Sequence, residues 1–202
     1  MITAIVLAAG VSARFGDEIK QLVYVGKKRM IEQVITTLVE SDVDEIIVVL
    51  GYQAEKIKEV LIDYDVRFCY NPDYQQGQST SLVAGLEEVD DETTGILCML
   101  GDLPLVKKET INQLISEFKS GEELIVVPEY KEQRGNPVIF ARKLKKEMLE
   151  VRGDKGARDL LVKYQTKVNE VLVDDSGVSF DIDTKADYER LMKVIRDQFV
   201  DS

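Results

Sequence analysis

Five short stretches of this chain, residues 2–7, 45–50, 66–70, 96–100 and 124–127, are dominated by consecutive apolar residues rather than by apolar and polar residues in alternation. A strand with one wet face alternates with a period of two. A continuous run is the pattern of a strand covered on both faces, as in a parallel sheet. Between the runs, apolar residues recur at helical spacing: Met30, Ile31, Val34, Ile35 and Leu38, then Ile57, Val60 and Leu61, then Leu82, Leu86 and Val89, then Ile111, Leu114, Ile115 and Phe118. Strand and helix thus alternate four times in the first 120 residues, which predicts right-handed crossovers onto one twisted, mostly parallel sheet with helices on both sides. After residue 127 the rhythm breaks. Residues 135–140 and 168–173 read as strands around two short helices. A last helix carries Tyr188, Leu191, Ile195 and Phe199, with Thr184 as its N-cap and Asp187 in its first turn. With no internal repeat and no linker, the 202 residues read as one α/β domain, 1–202.

Composition removes several chemistries. The 26 Lys and Arg against 37 Asp and Glu give a net charge of −11, which argues against a nucleic-acid partner that needs a basic surface. Histidine is absent, so Ser-His-Asp hydrolases, Cys-His proteases and His-ligated zinc enzymes are excluded together. The two cysteines, Cys69 and Cys98, sit in apolar runs as core thiols, which fits a reducing compartment. Residues 2–11 lack a basic leader and are far short of the ~20 residues that span a bilayer. The expectation is a cytoplasmic protein with no membrane partner.

In parallel sheets, ligands bind beyond the carboxyl ends of the strands. The first run leads into Leu7, Ala8, Ala9, Gly10, Val11, Ser12, Ala13, Arg14, Phe15 and Gly16, with Lys20 beyond. Small residues let the backbone approach a ligand and aim its N–H groups at it, Arg14 can fork onto phosphate oxygens, and Lys20 can supply a point charge. From Val11 to Met30 five basic residues face two acidic ones, a local excess suited to a polyanion. Neither a P-loop Gly-Lys-Ser/Thr nor a Gly-x-Gly-x-x-Gly is present. The fourth run ends in Gly101-Asp102-Leu103-Pro104, where Asp102 can be a Mg²⁺ ligand or a turn residue. Asp181 and Asp183 form a second acidic candidate, with capping of the last helix as the alternative. The segment from Asn71 through Gly77 to Ser81 opens a helix, where Ser79 or Ser81 can cap the helix or face a base. Arg134-Gly135-Asn136-Pro137 and Gly153-Asp154-Lys155-Gly156-Ala157-Arg158 are polar turns that either touch a second substrate or serve as loops.

Taken together, LAAGVSARFG with KQL, NPDYQQGQSTSL, GDLPL, RGNPVIF, GDKGARDLL and DIDTKADY, in this order, resemble the MobA-like nucleotidyltransferases, and among them the molybdenum cofactor cytidylyltransferases. The resemblance covers nearly the whole chain and implies a Rossmann-like sandwich of the nucleotide-diphospho-sugar transferase kind. It implies that Leu7, Ala8, Ala9, Gly10, Ser12, Arg14, Lys20, Gly77, Ser81 and Asp102 contact the nucleotide. Arg14, Lys20 and Asp102 are then catalytic, Asp102 and Asp183 hold Mg²⁺, and Gly135, Asn136 and Arg158 face the acceptor. LAAG in place of LAGG points to CTP rather than GTP. The implied reaction moves CMP from CTP to the terminal phosphate of molybdenum-loaded molybdopterin and releases pyrophosphate, with a molybdenum hydroxylase as recipient of the product. The competing readings are a transferase for another acceptor (a sugar or polyol phosphate), guanylyl transfer from GTP to molybdopterin, and a non-catalytic chaperone for the finished cofactor.

Overall fold

Four of the five apolar runs become strands covered on both faces, while the run at 66–70 becomes an edge strand with Arg67 and Tyr70 exposed and Cys69 buried. In chain order the elements are β1 (Ile2–Leu7), β2 (Tyr24–Val25), β3 (Lys28–Arg29), α1 (Met30–Val39), β4 (Glu45–Leu50), α2 (Ala54–Val60), β5 (Arg67–Tyr70), α3 (Gln78–Glu87), β6 (Gly95–Leu100) and α4 (Lys108–Ser120). They continue with β7 (Ile125–Tyr130), β8 (Gln133–Arg134), β9 (Val138–Ala141), α5 (Lys145–Met148), α6 (Arg158–Lys163), β10 (Val168–Leu172) and α7 (Lys185–Val200). The computed structural model describes residues 1–11, 15, 18–153 and 157–200, with the side chains of 197–200 excepted.

Among the described residues the main sheet has eight strands, in the order β10-β7-β9-β6-β1-β4-β5, with β8 paired to β7. Strands β6, β1, β4 and β5 are mutually parallel, as are β10 and β7. Strand β9 runs against both β6 and β7, so those two point the same way. The side-chain period of two divides the core. Ile2, Ala4 and Val6 of β1 pack with Ile46 and Val48 of β4 under Ile31, Val34, Ile35, Ile111 and Leu114 from α1 and α4. Ile5, Ile47 and Val49 face the other way, onto Leu82 and Leu86 of α3 and Met148 and Leu160 of α5 and α6. Each Val, Leu, Ile or Met side chain so buried contributes about 1.5–3 kcal/mol. Each face is thus sealed, which is why the strand sequences are continuous rather than alternating.

The sheet confirms the mostly parallel α/β expectation and refines its second half. The run at 135–140 enters the sheet only at Val138. The Gly135 N–H donates to the Pro128 carbonyl of β7, one step past the β7–β8 pairing, and the Asn136 N–H to that of Val178, so neither N–H pairs with β6. The hairpin β2–β3, two residues per strand, is too short for any period to announce it. A third apolar cluster of Phe15, Val25, Met30, Ile182 and Leu191 docks α7 beside this hairpin, with the Phe15 and Tyr188 rings edge to face at 6.0 Å. No helix among the described residues is long and apolar enough to cross a membrane.

Candidate active site

The parallel strands end on one edge of the sheet, and the loops beyond β1, β5 and β6 surround a cleft of about 390 Å³ there. The ladder continues just past the strands. The Ala8 N–H donates to the Val49 carbonyl and the Gly101 N–H to that of Leu7, both at 3.0 Å. A Cβ on Gly101 would stand 3.1 Å from the Leu7 oxygen and 3.2 Å from Ile31 Cδ1, so the missing side chain lets the two loops approach. Asp102 then emerges beside the first loop.

Three groups meet at the wall of this cleft. Lys20, in a short 3₁₀ turn (Lys20–Leu22), is only 7% exposed. Its ammonium donates to Asp102 Oδ2 at 2.7 Å and to Asp183 Oδ1 at 3.2 Å. Asp183 comes from far along the chain and is held there by its neighbours. Ile182 is fully buried in the third cluster, and its N–H donates to the Asp102 carbonyl at 3.2 Å. The Asp187 carboxylate accepts from the Asp183 N–H, and from the Thr184 N–H and hydroxyl, both at 2.7 Å. Thr184 Oγ1 accepts the Asp187 N–H in return, so Thr184 caps α7 as expected. These bonds, the Thr184 hydroxyl first, together with the paired Arg190 guanidinium, hold the Asp187 pKa down at about 2. Burial pushes the Asp102 carboxyl above its ordinary range; the Lys20 ammonium pulls against that shift, and the charges of Asp181 and Asp183 add to it.

The opposite wall begins at Asn71. Its side-chain amide donates to Thr80 Oγ1 at 2.9 Å and Ser81 Oγ at 3.0 Å, while its oxygen accepts from the Asp73 N–H at 2.9 Å. Gly77, at φ 116° and ψ 166°, adopts a conformation that side chains rarely allow, and it, not Ser79 or Ser81, is the N-cap of α3. Helix α3 sits close to the sheet because a Cβ on Gly85 would fall 2.5 Å from Ile5 Cγ2 and 2.8 Å from Val49 Cγ2. Beside the cleft lies a narrower recess of about 60 Å³ that shares Leu7, Gln78 and Leu100 with it and is lined mainly by apolar groups, with Asn136 and Arg158 among its polar ones. Cys98 also lines the recess; burial pushes its thiol up to about 12, which leaves it an inert wall.

Of the residues singled out from sequence, Leu7, Ala9, Gly10, Lys20, Gly77, Ser81, Asp102 and Asp183 line the cleft, and Asn136 and Arg158 line the recess. Two do neither. Ala8 is fully buried and its N–H is committed to Val49. Gly135 is packed against the backbone of Val178, where a Cβ would collide with the carbonyl oxygen. Ser12, Arg14, Asp154, Lys155 and Gly156 lie outside the described residues, as does the side chain of Phe199. Sequence reasoning passed over Tyr74, Gln75 and Gln78 as wall residues and Asn71 as the group that ties the wall together. Their sequence signals were their place in the segment after the third apolar run and within the NPDYQQGQSTSL motif.

The donor set suits a divalent cation. Asp102 Oδ1 is buried and has no hydrogen-bond partner among the described residues, and Asp183 shares the Lys20 ammonium with Asp102. Among the described residues no cluster of three or more Cys, Asp or Glu forms a complete cage. One or two carboxylates completed by substrate phosphates is the arrangement Mg²⁺ favours.

Comparison with known proteins places these features in a family context. A family model described as the MobA-like NTP transferase domain matches residues 4–168. The bifunctional protein GlmU of Clostridium novyi (strain NT) is 30% identical over 182 residues, which is 89% of this chain and 38% of that protein. The chain spans less than two-fifths of the length of the curated relatives it matches. Among solved structures, Rv0371c from Mycobacterium tuberculosis H37Rv superposes with a TM-score of 0.87 at 31% identity, covering 95% of this chain and 97% of that one. The complex of Rv0371c with manganese superposes with a TM-score of 0.81 at 28% identity, over 95% and 97% of the two chains.

Proposed function

The chain belongs to the MobA-like NTP transferase family, and on that premise we propose that it transfers CMP from CTP to the terminal phosphate of molybdenum-loaded molybdopterin, releasing pyrophosphate. The observation that carries the transferase chemistry is the convergence of Asp102, Asp183 and Lys20 at the strand-end cleft. Support for the base and the acceptor comes from the LAAG, RGNPVIF and GDKGARDLL resemblances, and from a second, largely apolar recess beside the cleft with Asn136 and Arg158 on its lining. The product would pass to a molybdenum hydroxylase.

In this reading the CTP phosphates lie along the first loop, where Ala9 and Gly10 leave room for them and Arg14 and Lys20 offer positive charge. Asp102 and Asp183 would hold Mg²⁺, which when bound withdraws charge from the phosphoryl oxygens and the departing pyrophosphate. The nucleophile needs little activation. A phosphate monoester has a second pKa near ~6 and is largely ionised at neutral pH. An acceptor phosphate oxygen bonds to the α-phosphorus, the bond from that phosphorus to the β-phosphate oxygen breaks, and the electron pair leaves with pyrophosphate. No general base is required, which agrees with a chain that has no histidine. The protein's work is to align two polyanions and offset their repulsion.

The test is pyrophosphate release from CTP, GTP, ATP and UTP in turn, with Mg²⁺, with and without molybdenum-loaded molybdopterin. Release with CTP alone, and only when the pterin is added, is expected. Release with GTP overturns the base assignment. Release only when a sugar or polyol phosphate replaces the pterin overturns the acceptor.

A further inference from the structure

The Lys20 ammonium lies between Asp102 and Asp183, the two carboxylates that would hold a divalent metal in the reading above. It is 2.7 Å from Asp102 Oδ2 and 3.2 Å from Asp183 Oδ1, on a residue 7% exposed. Asp102 Oδ1 meanwhile is buried with no hydrogen-bond partner among the described residues, so the carboxylate has an oxygen to offer a further positive group. From this geometry we infer that Lys20 is an exchangeable counter-ion: it holds the two carboxylates while the site is empty, and must leave them when a divalent metal enters. The inference rests on the metal assignment made above and adds an order of events to it. A metal ion arriving alone has to displace an ammonium already paired to both carboxylates. A metal ion arriving with a nucleotide brings phosphate oxygens that receive the displaced ammonium, so that Lys20 exchanges one set of anions for another. Metal and nucleotide therefore bind with positive coupling, and that coupling runs through Lys20.

The experiment measures Mn²⁺ binding by electron paramagnetic resonance, with no turnover involved, in the wild type and Lys20→Met, each with and without CTP and no acceptor. In the wild type, CTP is expected to tighten Mn²⁺ binding. In Lys20→Met, Mn²⁺ alone is expected to bind about tenfold or more tightly than it does to the wild type, and the gain from CTP to shrink. Equal or weaker binding of Mn²⁺ alone to Lys20→Met overturns the exchange. The variant removes the ammonium that pairs with Asp102 and Asp183 and is expected to unfold at a lower temperature. Recovery of that loss by Mn²⁺ alone, with little effect of Mn²⁺ alone on the wild type, supports the exchange; no recovery overturns it. The double variant Lys20→Met with Asp102→Asn separates the two assignments. Loss of the Mn²⁺ signal there keeps the metal at Asp102, and an undiminished signal overturns the metal site itself.

Discussion

Asp187 shows how a residue that touches no ligand can set a site. Its carboxylate gathers the backbone of Asp183 and Thr184 and the Thr184 hydroxyl, and so fixes where Asp183 can point. Those bonds, with the Arg190 guanidinium beside them, hold its pKa at about 2, below the ~4 of a free aspartate. The folded protein therefore binds this proton less readily than the unfolded chain. The stability it contributes is complete above about pH 4 and is lost as pH falls through the window down to about 2. Asp187→Ala is expected to cost about 1–2 kcal/mol at neutral pH. Thermal unfolding across a pH series checks the sign: the gap between wild type and variant should close toward pH 2, and a gap that widens in acid contradicts the account. None of this was visible in sequence beyond Thr184 and Asp187 standing three apart before an apolar helical pattern, which marks a capping box but not what the box holds in place.

At the scale of elements, helix α3 is the part whose position matters most, because it carries Gln78 and Ser81 at one end and packs Leu82 and Leu86 onto the sheet along its length. Gly85 sets its height. Gly85→Ala gains about 1 kcal/mol of helix propensity but pushes a methyl into Ile5 and Val49, branched side chains fixed in the sheet. Overpacking of that kind costs about 1–3 kcal/mol, so a net loss of stability is expected, with a raised KM for nucleotide as α3 lifts. Chemical denaturation and steady-state kinetics on this variant read the two effects, and a more stable protein with unchanged KM refutes the close-packing argument. The strands themselves were legible because burial on both faces writes a continuous apolar run. Direction was not. Nothing in residues 135–140 distinguishes an antiparallel strand from a parallel one, and Gly135 and Asn136 spend their N–H groups on Pro128 of β7 and on Val178 rather than on β6. The hairpin β2–β3 and the short β8 escaped for lack of length.

For the whole molecule, the candidate site is a product of topology. Lys20 and Asp183 are separated by 163 positions, and Lys20 and Asp102 by 82, yet three connections end at one sheet edge and bring them within hydrogen-bond distance. Sequence marked each motif because each follows a strand or opens the last helix. It did not show that the lysine would sit between the two carboxylates, since that depends on Ile182 being buried and tied to the Asp102 carbonyl. It also credited Ala8 with a free N–H that the sheet had already used. The overall charge of −11 adds to the case for a metal, because a triphosphate entering an acidic protein needs its charge offset locally. The most direct measurement is the Mg²⁺-dependent release of pyrophosphate from CTP, with molybdenum-loaded molybdopterin as acceptor, by the wild type and by Asp102→Asn. The variant is expected to fold and to lose about 10²–10³ in rate, the usual size of one missing contributor to transition-state charge stabilisation. Turnover by Asp102→Asn at the wild-type rate would contradict that expectation.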